Sequence, residues 1–184
     1  MKLFLSGCAV TMISAALFAA EDKPAPSLSA ILDQNIKIAE SDVVPLAEAM
    51  PADKYDFAPS GAEFKKVRTF AQQMKHIAAT NYMFASPVLG EKNPSEAGEG
   101  ENGPASVKGK DAIVKYLKDS FAYAHKAAAS ITAANAMDMV PSPFGNDKIA
   151  RMSLVSFVPW HTFDHYGQSV VYARMCGTVP PASR

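Results

Sequence analysis

His161-Thr162-Phe163-Asp164-His165 sets two imidazoles four residues apart. On a helix of 3.6 residues per turn, side chains at i and i+4 lie one above the other on the same face. Two histidines at that spacing can grip one metal ion. Leu154, Phe157, Gln168, Tyr172 and Met175 share the face, so both rings belong to an inward-facing stripe. Burying two polar rings is costly unless each finds a partner, and a metal ion would supply one. The bland alternative is a pair of structural histidines hydrogen-bonded to their neighbours. The pair lacks the glutamate of His-Glu-x-x-His, so the base of a zinc protease is missing.

A metal site needs a third ligand. His76 is the candidate, on a helical stretch where it lies beside Gln72, Gln73, Thr80 and Met83, away from the most apolar stripe. That position suits an exposed histidine as well as a ligand in a polar pocket, and the residues alone leave the matter even. His125 lies at the edge of another apolar stripe and reads as a boundary residue packed by its ring. Asp164 is placed to orient an imidazole by hydrogen bonding from behind the ligands, or simply to cap or pair locally, and Gln168 to hydrogen-bond within the pocket. Trp160, Phe163 and Tyr166 read as packing. There is no Gly-rich phosphate loop, Cys-x-x-Cys pair or nucleophile elbow.

The elements that must position these residues read as four helices. The first spans about Ser27 to Ala49, with Leu28, Ile31, Leu32, Ile38 and Leu46 at mostly helical spacings, Pro45 as a kink or end and Pro51 as the stop. The second runs from about Phe64 to Ala85, with Val67, Phe70, Ala71, Met74, Ile77, Ala78 and Asn81 on one face. Residues 86–109 are rich in Gly, Pro, Glu, Asn and Ser. They read as a solvated surface linker, with a lid over a site as the alternative. The third helix spans about Lys110 to Asn135. Residues 137–148, with two prolines and a glycine, form a further loop. The fourth spans about Ile149 to Cys176, bent at Pro159, and is apolar nearly all round, which predicts a central, buried helix. No strand-like alternation of any length is present. The pattern is that of an all-α helical bundle.

The chain has 184 residues, 48% apolar, with 18 basic and 18 acidic side chains, enough for one domain with a real core. Zero net charge argues against a nucleic-acid partner. Residues 1–20 have a basic start, an apolar run and an Ala-rich end before Glu21-Asp22-Lys23, the layout of a secretory signal. A membrane anchor and a lipid-attachment motif at Cys8 are the rival readings. Removal of the signal leaves residues 21–184 as the folded domain, exported to a periplasmic or extracellular space, with no stable membrane insertion and Cys176 as the lone thiol.

His161-Thr162-Phe163-Asp164-His165-Tyr166-Gly167-Gln168, followed by Val170-Val171-Tyr172-Ala173-Arg174-Met175-Cys176-Gly177, resembles the last helix of DinB-like (YfiT-like) proteins. Phe70-Ala71-Gln72-Gln73-Met74-Lys75-His76-Ile77-Ala78 resembles their second helix. The resemblance covers nearly all of the chain after residue 20. It implies an antiparallel four-helix bundle with a long crossover loop, binding a divalent metal through three histidines, here His76, His161 and His165. It carries no implication of polymerase activity. Some relatives are metal-dependent transferases that join a low-molecular-weight thiol to an electrophile, and others are hydrolases. Three neutral His ligands leave an open metal position, as in catalytic sites. Zn or Ni is expected first, then Fe or Mn. A small-molecule substrate and a homodimer through exposed helix faces fit this reading. The alternative is a metal-binding or stress-related bundle without turnover.

Overall fold

The computed structural model describes residues 25–96 and 98–184. The signal, anchor and lipid-attachment readings of residues 1–20 lie outside the described residues. Among the described residues no helix is long and apolar enough to cross a membrane.

Four long helices make up the fold: α1 (Leu28–Ala49), α2 (Phe70–Leu89), α3 (Lys110–Ala129) and α4 (Arg151–Met175). Ser27 starts α1 by accepting the Ala30 amide on its hydroxyl at 3.2 Å. Pro45 sits inside α1 without ending it. α2 begins later than its apolar periodicity suggests, because Thr69 and Gln72 form a reciprocal capping box. The residues before it are occupied by a short 3-10 turn at Ala62–Phe64. α2 also ends later, at Gly90, which takes the left-handed conformation (φ 67°) that a glycine adopts without steric cost. α3 stops short of Asn135. There the Asn135 side chain accepts from the Thr132 amide at 2.8 Å and donates to the Ser130 carbonyl at 2.9 Å. These contacts give the backbone partners that a further helical turn would have supplied.

α2 packs on α3 and α4, and α1 packs on the same two helices, while α3 barely touches α4. Side-chain pairs give the sense of each contact. Lys110 at the start of α3 reaches the carbonyls of Glu48 and Met50 at the end of α1, and His125 late in α3 meets Asp33 early in α1. These two helices are antiparallel. Gln73 meets Gln168 and Thr80 meets His161, so α2 and α4 are antiparallel too. Asn81 meets Ser120 and Glu91 meets Lys126, so α2 and α3 run the same way. A parallel neighbour can be reached only by travelling back along the bundle, about 30 Å for a 20-residue helix. Residues 90–109 make that crossover.

The core is closed by fully buried Ile36, Leu46, Phe70, Met74, Ile77, Leu117, Phe121 and Leu154. Three expectations are corrected. Residues expected to be loop between α3 and α4 hold a short antiparallel hairpin, β1 (Met139–Pro141) with β2 (Lys148–Ala150), pairing Val140 with Ile149. Three residues per strand are too few to show alternation. α4 is not buried all round: Trp160 is 55% exposed, and Val171 and Met175 also face out. Trp160 and Phe163 line a shallow apolar groove with Ile38 instead of packing inside. In a four-helix bundle each helix keeps one face to solvent, whatever its composition.

Candidate metal centre

α2 and α4 face each other in opposite senses, so residues ascending one helix meet residues descending the other. Gln73, His76 and Thr80 on α2 therefore meet Gln168, His165 and His161 on α4. The ring centroids lie 4.5 Å apart for His76 and His165, 4.6 Å for His161 and His165, and 5.0 Å for His76 and His161. One ring nitrogen from each of the three lies within 4.8 Å of the others. His76 and His165 are buried and His161 is half-buried.

The hydrogen bonds assign the tautomers. His76 Nδ1 donates to the Glu101 carbonyl at 2.8 Å. His165 Nδ1 donates to Gln73 Oε1 at 2.7 Å, and Gln73 Nε2 donates onward to Gln168 Oε1 at 3.0 Å. His161 Nδ1 faces the Thr80 hydroxyl at 3.2 Å. That hydroxyl gives its own hydrogen to the His76 or Ile77 carbonyl, so its oxygen accepts from the ring. Each neutral imidazole thus carries its proton on Nδ1 and keeps the Nε2 lone pair free. Three such lone pairs repel one another unless a cation stands between them.

The rings are held neutral. Burial pushes His161 down to about 3, helped by the neighbouring His165 and His76. Burial pushes His165 down to about 4, with further lowering from His76 and Arg68. His76 is lowered by burial against the opposing pull of the Glu101 carbonyl. A metal ligand must be the neutral imidazole. Neutral donors, free Nε2 atoms and mutual reach fit a divalent metal ion.

The other expected site residues fall differently. Asp164 points outward, its Oδ2 3.9 Å from His165 Nε2, beyond hydrogen-bonding range. Gln168 does not touch a ring. It acts on His165 through Gln73, which the sequence presents only as a polar neighbour of His76. The single signal available was a glutamine three residues before a histidine, on the preceding turn of the same helix. His125 is not packed by its ring alone: its two nitrogens face Asp33 at 2.6 Å and Glu40 at 3.1 Å, stapling α3 to α1 away from the centre.

The crossover is not a solvated linker where it passes the centre. The Glu101 carbonyl supports His76, Arg68 Nε donates to Asn102 Oδ1 at 2.8 Å, and Lys75 donates to the Pro104 carbonyl at 2.7 Å. Two of these three bonds use backbone carbonyls, which no side-chain pattern announces.

Gln73→Leu is expected to lower divalent-metal affinity by about 10–100-fold, because His165 loses the acceptor that fixes its tautomer. Asp164→Asn should leave the affinity unchanged. Competition against a chromogenic chelator reads both.

A family model described as the DinB superfamily matches residues 35–169. The crystal structure of a DinB-like protein, YjoA, from Bacillus subtilis is similar in fold, with a TM-score of 0.60. The two share 17% sequence identity, over 81% of this chain and 94% of that chain. At this identity the likeness speaks for the fold alone. No curated protein matches the chain.

Proposed function

The chain belongs to the DinB superfamily, and from that premise we propose that it is an exported divalent-metal protein, a transferase or hydrolase centred on His76, His161 and His165. The observation that carries this is that one nitrogen from each of three rings lies within 4.8 Å of the others while the Nδ1 of each ring is engaged by a neighbour. A divalent ion held there, zinc or nickel before iron or manganese, would act as a Lewis acid with an open coordination position, lowering the pKa of a thiol or water that reaches it.

The chain's own residues then do three things. The three imidazoles supply neutral donors. Glu101, Thr80 and Gln73 hold those donors in one orientation, so no reorganisation is needed when an ion arrives. Gln168 secures Gln73. Export is read from residues 1–20, and it favours a substrate met outside the cytoplasm.

A non-catalytic metal-binding role is the second reading. It is favoured by the lack, among the described residues, of a carboxylate hydrogen-bonded to the centre that could shuttle a proton: Asp164 is exposed and too distant. Turnover separates the two. Metal-loaded protein is assayed with low-molecular-weight thiols plus an electrophilic chloroarene, and with activated ester and amide substrates. The catalytic reading expects turnover in one panel that His161→Ala removes. Bound metal with no turnover in either panel favours the second reading.

A further inference from the structure

A cleft of about 550 Å³ lies against Gln73 and Gln168, on the side of His165 that carries Nδ1. Its walls include Lys66, Arg68, Gln72, Gln73, Asn102 and Gln168, and its lining holds no carboxylate. Gln73 and Gln168 are the amides behind His165, so the cleft and the histidine centre share a wall.

Arg68 is half-buried and gripped along one edge. Its Nε donates to Asn102 Oδ1 at 2.8 Å and its Nη2 to the Gly100 carbonyl at 2.9 Å. A guanidinium has five N–H donors. Both Nη1 hydrogens and the second on Nη2 have no acceptor among the described residues. One Nη1 hydrogen and the free Nη2 hydrogen form the outer fork, the edge that matches a planar anion with two oxygens. The two acceptors that hold Arg68 are neutral, so nothing in the cleft offsets its charge. Lys66 adds a second cation on the same wall. Its backbone is left-handed (φ 68°), a conformation that L-residues rarely adopt. The field of Arg68 reaches all three imidazoles, disfavouring their protonation.

We propose that this cleft is an anion site that holds a carboxylate group on the outer fork of Arg68, with Lys66 beside it, and so directs the histidine centre to small carboxylate substrates. The inference deepens the proposed function and rests on it only for the word substrate. The anion site itself needs no metal.

The test therefore uses purified protein stripped of metal by chelation. Phenylacetate and its neutral counterpart phenylacetamide are titrated by calorimetry. Phenylacetate should bind about 10–100-fold more tightly, the range expected of a hydrogen-bonded charged group. Added KCl should narrow the gap. Arg68→Gln should abolish the preference, and Arg68→Lys should restore only part of it. Arg68 also tethers residues 100–102, so circular dichroism checks that its variants fold. Lys66→Gln tethers nothing and should weaken phenylacetate by roughly twofold to fivefold. Equal affinity for the two probes overturns the proposal, as does a preference that survives both Arg68→Gln and Lys66→Gln. Carboxylate preference in a protein that never binds metal would sink the proposed function and leave the anion site standing. Metal binding without carboxylate preference would do the reverse.

Discussion

Replacing His161 by alanine will lower divalent-metal affinity by more than about a hundredfold while leaving the bundle folded. Loss of an outer support such as Gln73 costs about 10–100-fold, and loss of a direct donor must cost more. Two donors would remain, His76 and His165. The fold should survive because His161 is half-buried and in the neutral state donates only to Thr80. Thr80 keeps its bonds to the His76 and Ile77 carbonyls when the ring is gone. Chelator competition reads the affinity, and far-ultraviolet circular dichroism reads the fold. An unchanged affinity would remove His161 from the ligand set.

The second large effect concerns the core that holds α2 against its neighbours. Phe121 in α3 has no exposed surface. Truncating it to alanine removes a ring from close packing and leaves a cavity, at a cost of about 3–5 kcal/mol. Domains are stable by only about 5–15 kcal/mol, so this is a large share. For a chain of this size the melting temperature should fall by about 6–20 °C. Trp160→Ala is the matched control. It removes a larger ring, but one that is 55% exposed and meets Phe157 edge-on at 5.0 Å. It should cost no more than about 1 kcal/mol. Urea titration of both variants decides whether buried area or ring size governs. Equal costs would contradict the assignment of α4's outer face.

How far the sequence alone reached follows from what kind of signal each feature leaves. The i, i+4 spacing of His161 and His165 is a helical signal, and it put two rings on one face. His76 is 85 positions away from His161 and could be joined to them only through a family resemblance, because nothing in local periodicity says which helices touch. The bundle was legible because the apolar stripes of α1, α2 and α3 repeat at helical steps. α4 misled because its composition hides its outer face, where Trp160, Val171 and Met175 sit in solvent. Helix ends depart from the periodicity where capping chemistry outweighs it, as at Thr69 and Asn135. The supports behind the histidines were the least legible. Gln73 looks like any surface glutamine until α4 is brought opposite it, and the Glu101 carbonyl belongs to a backbone that every residue has.

In the proposed function three histidines from two helices hold one divalent ion. Its most direct test is the metal content of the purified protein after exposure to zinc or nickel and exhaustive dialysis, set beside that of a His76→Ala, His161→Ala, His165→Ala triple variant. One ion per chain is expected in the protein and none in the variant. No retained ion, or one ion retained equally by both, would contradict it.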